Sequence, residues 1–83
     1  MEDEFRVFTV SGQKIAISRA MVEASVRDVV PESIQTHAVS VSGADYPVKQ
    51  VFALATGLDR LDFTSATARR NLQKLGFSVT RSA

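Results

Sequence analysis

Four glycines and two prolines, each standing alone, do most to limit what this chain can become. Gly12, Gly43, Gly57 and Gly76, with Pro31 and Pro47, stand where a turn or a helix stop is needed and cut the 83 residues into short elements. The stretch "FRVFTV" alternates, Ser11-Gly12 supplies a turn and "KIAI" returns, which predicts a β-hairpin over Phe5–Ile17. Ser18 has the chemistry of an N-cap. After it Met21, Val22, Val26, Val29 and Val30 recur at helical spacing, with Arg19, Glu23 and Arg27 on the far side, so an amphipathic helix is predicted to run until Pro31. "PESI" adds one short turn.

Period-two alternation in Ala38–Val41, a turn at Ser42-Gly43-Ala44-Asp45 and a return at Tyr46 predict a second hairpin. Pro47 then opens a helix to Thr56, with Val48, Val51, Phe52 and Ala55 on one side and Gly57 as its stop. Leu58 to Phe63 connects to a last helix, capped by Thr64 or Ser65 and ended by Gly76, before "FSVT" forms a short strand. The expected fold class is a small single α+β domain over residues 1–83, with two β-hairpins and about three helices. Residues 1–45 form the scaffold, and 46–80 a helix-turn-helix-like half.

The 45% hydrophobic content is ample for globular folding, though 83 residues make a core so small that a homodimer would help it. With no cysteine and a single histidine, His37, neither a disulfide framework nor a zinc site is expected, and no metal or other cofactor is implied. The start "MEDEF" is acidic where a signal peptide would be basic, and the longest apolar run, "VFALA", is too short to cross a bilayer. A cytoplasmic protein with no membrane partner is expected. An enzyme is not: His37 has no flanking acid, Asp59 and Asp62 have the spacing of turn-forming and capping residues, and no Gly-rich phosphate loop is present, so no small-molecule substrate is expected.

Net charge is only +1, but residues 64–83 hold Arg69, Arg70, Lys74 and Arg81 with no carboxylate, while the remainder has six basic residues against nine acidic. One basic pole on an acidic body favours an anionic partner. At 100° per residue, Ala68, Leu72 and Leu75 fall on one side of the last helix; Ala66, Thr67, Arg70, Gln73 and Lys74 spread over the other, with Arg69 on a flank. Cations and hydrogen-bond donors around a small Ala66 suit a helix laid in the major groove of duplex DNA. The candidate DNA-binding residues are Lys49 and Gln50 at the first turn of the preceding helix, Thr64, Ser65, Thr67, Arg69, Arg70, Gln73 and Lys74 on the last, and Arg81 after it.

The run Thr67-Ala68-Arg69-Arg70 with Leu72, Leu75 and Gly76 resembles the recognition helix of winged-helix transcription regulators. That resemblance implies DNA contacts by Thr67, Arg69 and Arg70. Only seven residues follow Gly76, too few for a two-stranded wing, so a wing-like contact falls to Arg81 on a flexible tail. Over Tyr46 to Val79, the stretches Tyr46-Pro47-Val48-Lys49, Ala53-Leu54-Ala55, Asp62-Phe63-Thr64 and Leu72-Gln73-Lys74-Leu75-Gly76-Phe77 are similar to the N-terminal head module of actinobacterial McrA-type restriction endonucleases and to small free-standing streptomycete proteins. This second resemblance implies an actinobacterial, nucleoid-associated or transcription-regulatory DNA-binding protein without the nuclease domains. The competing expectation is a protein-interaction or oligomerisation module, in which the same helix meets an acidic surface and an exposed "HAVSVSG" strand pairs with another chain.

Overall fold

The computed structural model describes residues 5–34 and 36–81, so the acidic start, residues 1–4, lies outside the described residues. Strands β1 (Phe5–Val10) and β2 (Gln13–Ser18) pair antiparallel from Phe5 opposite Ser18 to Val10 opposite Gln13. Ser11 and Gly12 both take positive φ, 50° and 78°, the turn whose twist matches that of the strands it joins. Ser18 caps α1 (Arg19–Ser25), its side chain accepting from the Met21 N–H at 3.3 Å.

That helix stops well short of Pro31. The Ser25 hydroxyl donates to the Val22 carbonyl at 2.7 Å, and Asp28 takes φ 62°, outside the helical region. Val26 is buried and Val29 packs on the core from the following turn, while Val30 is exposed. Residues 31–34 form no helical turn. They are held instead by Gln50.

The second hairpin pairs β3 (His37–Val41) with β4 (Ala44–Pro47) through a two-residue turn, Ser42-Gly43, so Ala44 and Asp45 belong to the strand rather than the turn. β5 (Val79–Arg81) adds on the other side of β3, which makes β3 the central strand of three. The "HAVSV" strand is therefore no open edge for another chain.

Helix α2 (Val48–Thr56) starts at Pro47 and ends at Gly57, whose φ is 77°. A connector with one 3-10 turn at Arg60–Asp62 leads to α3 (Ser65–Lys74), and at Gly57 to Thr64 it is about twice the three or four residues of a helix-turn-helix turn. Val51, Phe52, Val39, Val22, Ile17 and Leu72 fill the centre of one core, which both sheets and all three helices share. The Phe63 ring meets Phe52 edge-on, centroids 4.9 Å apart.

Two contacts fix the first hairpin along α3. At one end the Ser11 hydroxyl donates to the Asp62 carbonyl, just before α3 begins. At the other, Arg19, which follows Ser18, donates from Nη1 to the Leu75 carbonyl at 3.1 Å and lies 4.4 Å over the Phe77 ring. β1 thus runs antiparallel to α3, its Phe5 end at the helix exit and its Val10 end at the entrance.

Candidate nucleic-acid interface

Thr64 starts α3: its hydroxyl accepts from the Thr67 N–H at 3.2 Å and bonds the Thr67 hydroxyl at the same distance. Ala68, Leu72 and Leu75 are buried. Opposite them Ala66, Arg70, Gln73 and Lys74 are exposed, and Ser65, Thr67 and Arg69 are half-buried on the flanks. The apolar stripe fixes which side faces the core, and so which side shows its cations.

A concavity flanks each side of this crest. Towards the first hairpin, Thr67, Arg70 and Lys74 face Val7 and Thr9 of β1 across a shallow groove floored by Phe8 and Asn71. Towards α2, Ser65 shares a pocket with Pro47, Lys49, His37 and Arg60. Arg69 stands one turn beyond Ser65 on the same flank, its Nε buried with no hydrogen-bond partner, and His37 pairs with Arg81 across β3 and β5. Lys49, Ser65, Arg69 and Arg81 are thereby gathered on one side of the crest and Thr67, Arg70 and Lys74 on the other.

Two of the expected residues stand differently from expectation. Gln50 is 4% exposed and turned inward: its Oε1 accepts from the Glu32 N–H and its Nε2 donates to the Val30 carbonyl, both at 3.0 Å, so its amide ties down the 30–32 segment and is out of reach of an anion. Arg81 is not on a flexible tail but within β5, in ladder with His37. Lys49 is half-buried, with Nζ 5.6 Å over the Phe63 ring, a cation–π contact that leaves its remaining donors towards the pocket.

Arg60 lies beside these cations but is neutralised. Its guanidinium donates to both carboxylate oxygens of Glu32, at 2.6 and 2.7 Å, and these hydrogen bonds hold the Glu32 carboxyl below the usual carboxylate range. Among the described residues Arg70 and Lys74 have no carboxylate partner. Sequence reasoning missed the wall that β1 gives to the groove, and it missed His37 and Arg60. No local pattern carries these neighbours: the Ser11 and Arg19 contacts join residues 51 and 56 positions apart, the His37–Arg81 pairing spans 44 positions and the Arg60–Glu32 pair 28.

Residues 10–83 match a family described as SCO5918-like. The chain belongs to the SCO5918-like family. No curated protein and no solved structure matches it. In this SCO5918-like chain every candidate residue lies inside the matched span, whereas the β1 wall of the groove, Val7 to Thr9, precedes it. No helix among the described residues is long and apolar enough to cross a membrane.

Proposed function

We propose that this SCO5918-like protein binds duplex DNA across the outer face of α3, in a nucleoid-associated or transcription-regulatory role. The observation that carries the reading is the division of α3: Ala68, Leu72 and Leu75 are buried, while Arg70, Gln73 and Lys74 stand exposed on a helix without a carboxylate. Arg70 and Lys74 anchor phosphates from one flank, and Arg69, Lys49 and Arg81 from the other. Thr67, Gln73 and the small Ala66 lie nearest the base edges. Four or five phosphate contacts give a log-log salt slope of about −3.6 to −4.5 and modest affinity per protomer, which fits a dimer or many copies along the chromosome.

The test is a fluorescence-anisotropy titration of a labelled random duplex at several salt concentrations, with the native chain and with the pair Arg70→Ala and Lys74→Ala. Salt-dependent binding that the paired variant weakens, with a shallower salt slope, supports the reading; absence of binding at low salt overturns it. A second reading, docking to another protein, is favoured by Phe5 and Val7, which are 62% and 63% exposed beside the groove. It requires binding that tolerates salt and ignores duplex.

A further inference from the structure

Strand pairing leaves one side of β1 open. The two-residue turn at Ser11-Gly12 makes Val10 and Gln13 the first pair to exchange backbone hydrogen bonds, so the N–H and C=O groups of Val10, Phe8 and Arg6 point at β2. Those of Thr9, Val7 and Phe5 point away from it. β1 pairs with no strand but β2, and its outer edge makes no backbone hydrogen bond among the described residues. Val7 and Thr9, whose backbone groups face outward, also wall the groove against α3. Such an edge is a template for one more strand.

The opposite wall decides what that strand must carry. Arg70 and Lys74, four residues apart on α3, are separated by about 6 Å along the helix axis, close to the ~6.6 Å between alternate residues of an extended chain. Neither has a carboxylate partner among the described residues. Carboxylates at alternate positions of an added strand therefore meet both cations in step, while the side chains between them turn to the other face, where Val7 is exposed.

We propose that the groove between β1 and α3 binds an extended acidic peptide of another protein, which adds to β1 as a third strand and sets alternate Asp or Glu side chains against Arg70 and Lys74. Backbone hydrogen bonds to Val7 and Thr9 hold it at high salt; the two ion pairs are exposed and screened, and they select the acidic sequence. Peptide docking stands independently of DNA binding, though peptide and duplex compete for the same two cations where both bind.

The probe is a labelled synthetic peptide, GSETEVETSG with blocked ends, compared with its lysine counterpart GSKTKVKTSG and with two N-methylated copies of the first, one methylated at the glutamates and one at the residues between them. In amide exchange followed by NMR, saturating acidic peptide is expected to slow Val7 and Thr9 about tenfold or more and to leave Phe8, already bonded to β2, unchanged. In anisotropy titrations the pair Arg70→Ala and Lys74→Ala is expected to weaken binding about three- to tenfold, and the lysine peptide to bind about tenfold or more weakly than the acidic one. One N-methylated copy is expected to lose binding and the other to keep it, because only one set of alternate amides faces β1. Val7→Pro, which removes an outward N–H and no β1–β2 bond, is expected to keep the thermal melt and lose the peptide; the N-methylated copies make the same test on the native chain. No binding at about 1 mM acidic peptide, equal binding of the two N-methylated copies, or binding without protection of Val7 and Thr9 overturns the proposal. Protection of these two amides in the free chain that grows with protein concentration overturns it in favour of β1 pairing between two copies. Peptide binding with no DNA binding at low salt supports it and overturns the DNA-binding reading; DNA binding with no peptide binding does the reverse.

Discussion

Gln50 shows how a single side chain can leave a surface role for a structural one. It sits at the first turn of α2, where an uncapped helix start invites an anion, yet its amide is 4% exposed and bonded to the Val30 carbonyl and the Glu32 N–H. Helical periodicity places position 50 one turn from Leu54, which is 43% exposed, so the wheel points it outward. Only the return of residues 30–32 across α2 covers it. Gln50→Ala is expected to cost about 2 kcal/mol, two hydrogen bonds with their partners left wanting, measured as a drop in the urea midpoint, while the salt slope of DNA binding stays the same. Glu32 beside it sets a pH dependence. Hydrogen bonds from Arg60 lower its carboxyl pKa in the folded state, so the unfolded chain takes up a proton first as the pH falls. The pair's contribution is complete above the ordinary carboxylate value and disappears as pH drops through the lowered one. Thermal melts from pH 7 to pH 3 are expected to show that loss, and Glu32→Gln to reduce it.

Elements were legible where their signals are local. The Ser18 and Thr64 caps, the Gly57 and Gly76 stops, both hairpins and all three helices follow from nearest-neighbour chemistry, and the structure bears them out. The end of α1 was not legible. Val29 and Val30 continue the helical spacing, but β-branched residues hold a helix weakly, the Ser25 hydroxyl bonds back to the Val22 carbonyl, and Asp28 takes a positive φ that no helix continues. The hairpin phase was equally open: apolar residues at 5, 7, 8 and 10 fit either face, and burial of Phe8 and Val10 leaves Phe5 and Val7 outside. Thr64→Ala is expected to destabilise by about 1 kcal/mol through loss of the α3 cap. At the other end of α3, Gly76 has φ 96°, and a Cβ there would lie 2.7 Å from Arg19 Nη1. Gly76→Ala is expected to cost about 1 to 2 kcal/mol. In an Arg19→Ala background the same change costs less, because backbone strain remains but the close contact is gone; a double-mutant cycle by thermal denaturation measures the difference.

At the scale of the molecule, one core serves both sheets, so the basic face of α3 is carried on a rigid body and its exposed cations are separable from stability. The pair Arg70→Ala and Lys74→Ala is expected to shift stability by no more than about 1 kcal/mol while reducing the salt slope by about 2; loss of the cooperative melt would show that these side chains support the core. Sequence by itself determined the α+β class, the order of elements, the helix caps and which side of α3 is apolar. All of these depend on residues within a turn or two of one another, where spacing fixes geometry. Tertiary structure alone decided that β3 is the central strand, that Arg81 stands opposite His37, that Gln50 turns inward, and that β1 walls a groove against Arg70 and Lys74. Each of these depends on contacts between residues far apart in the chain, formed when apolar surfaces are buried together, and no local spacing encodes them.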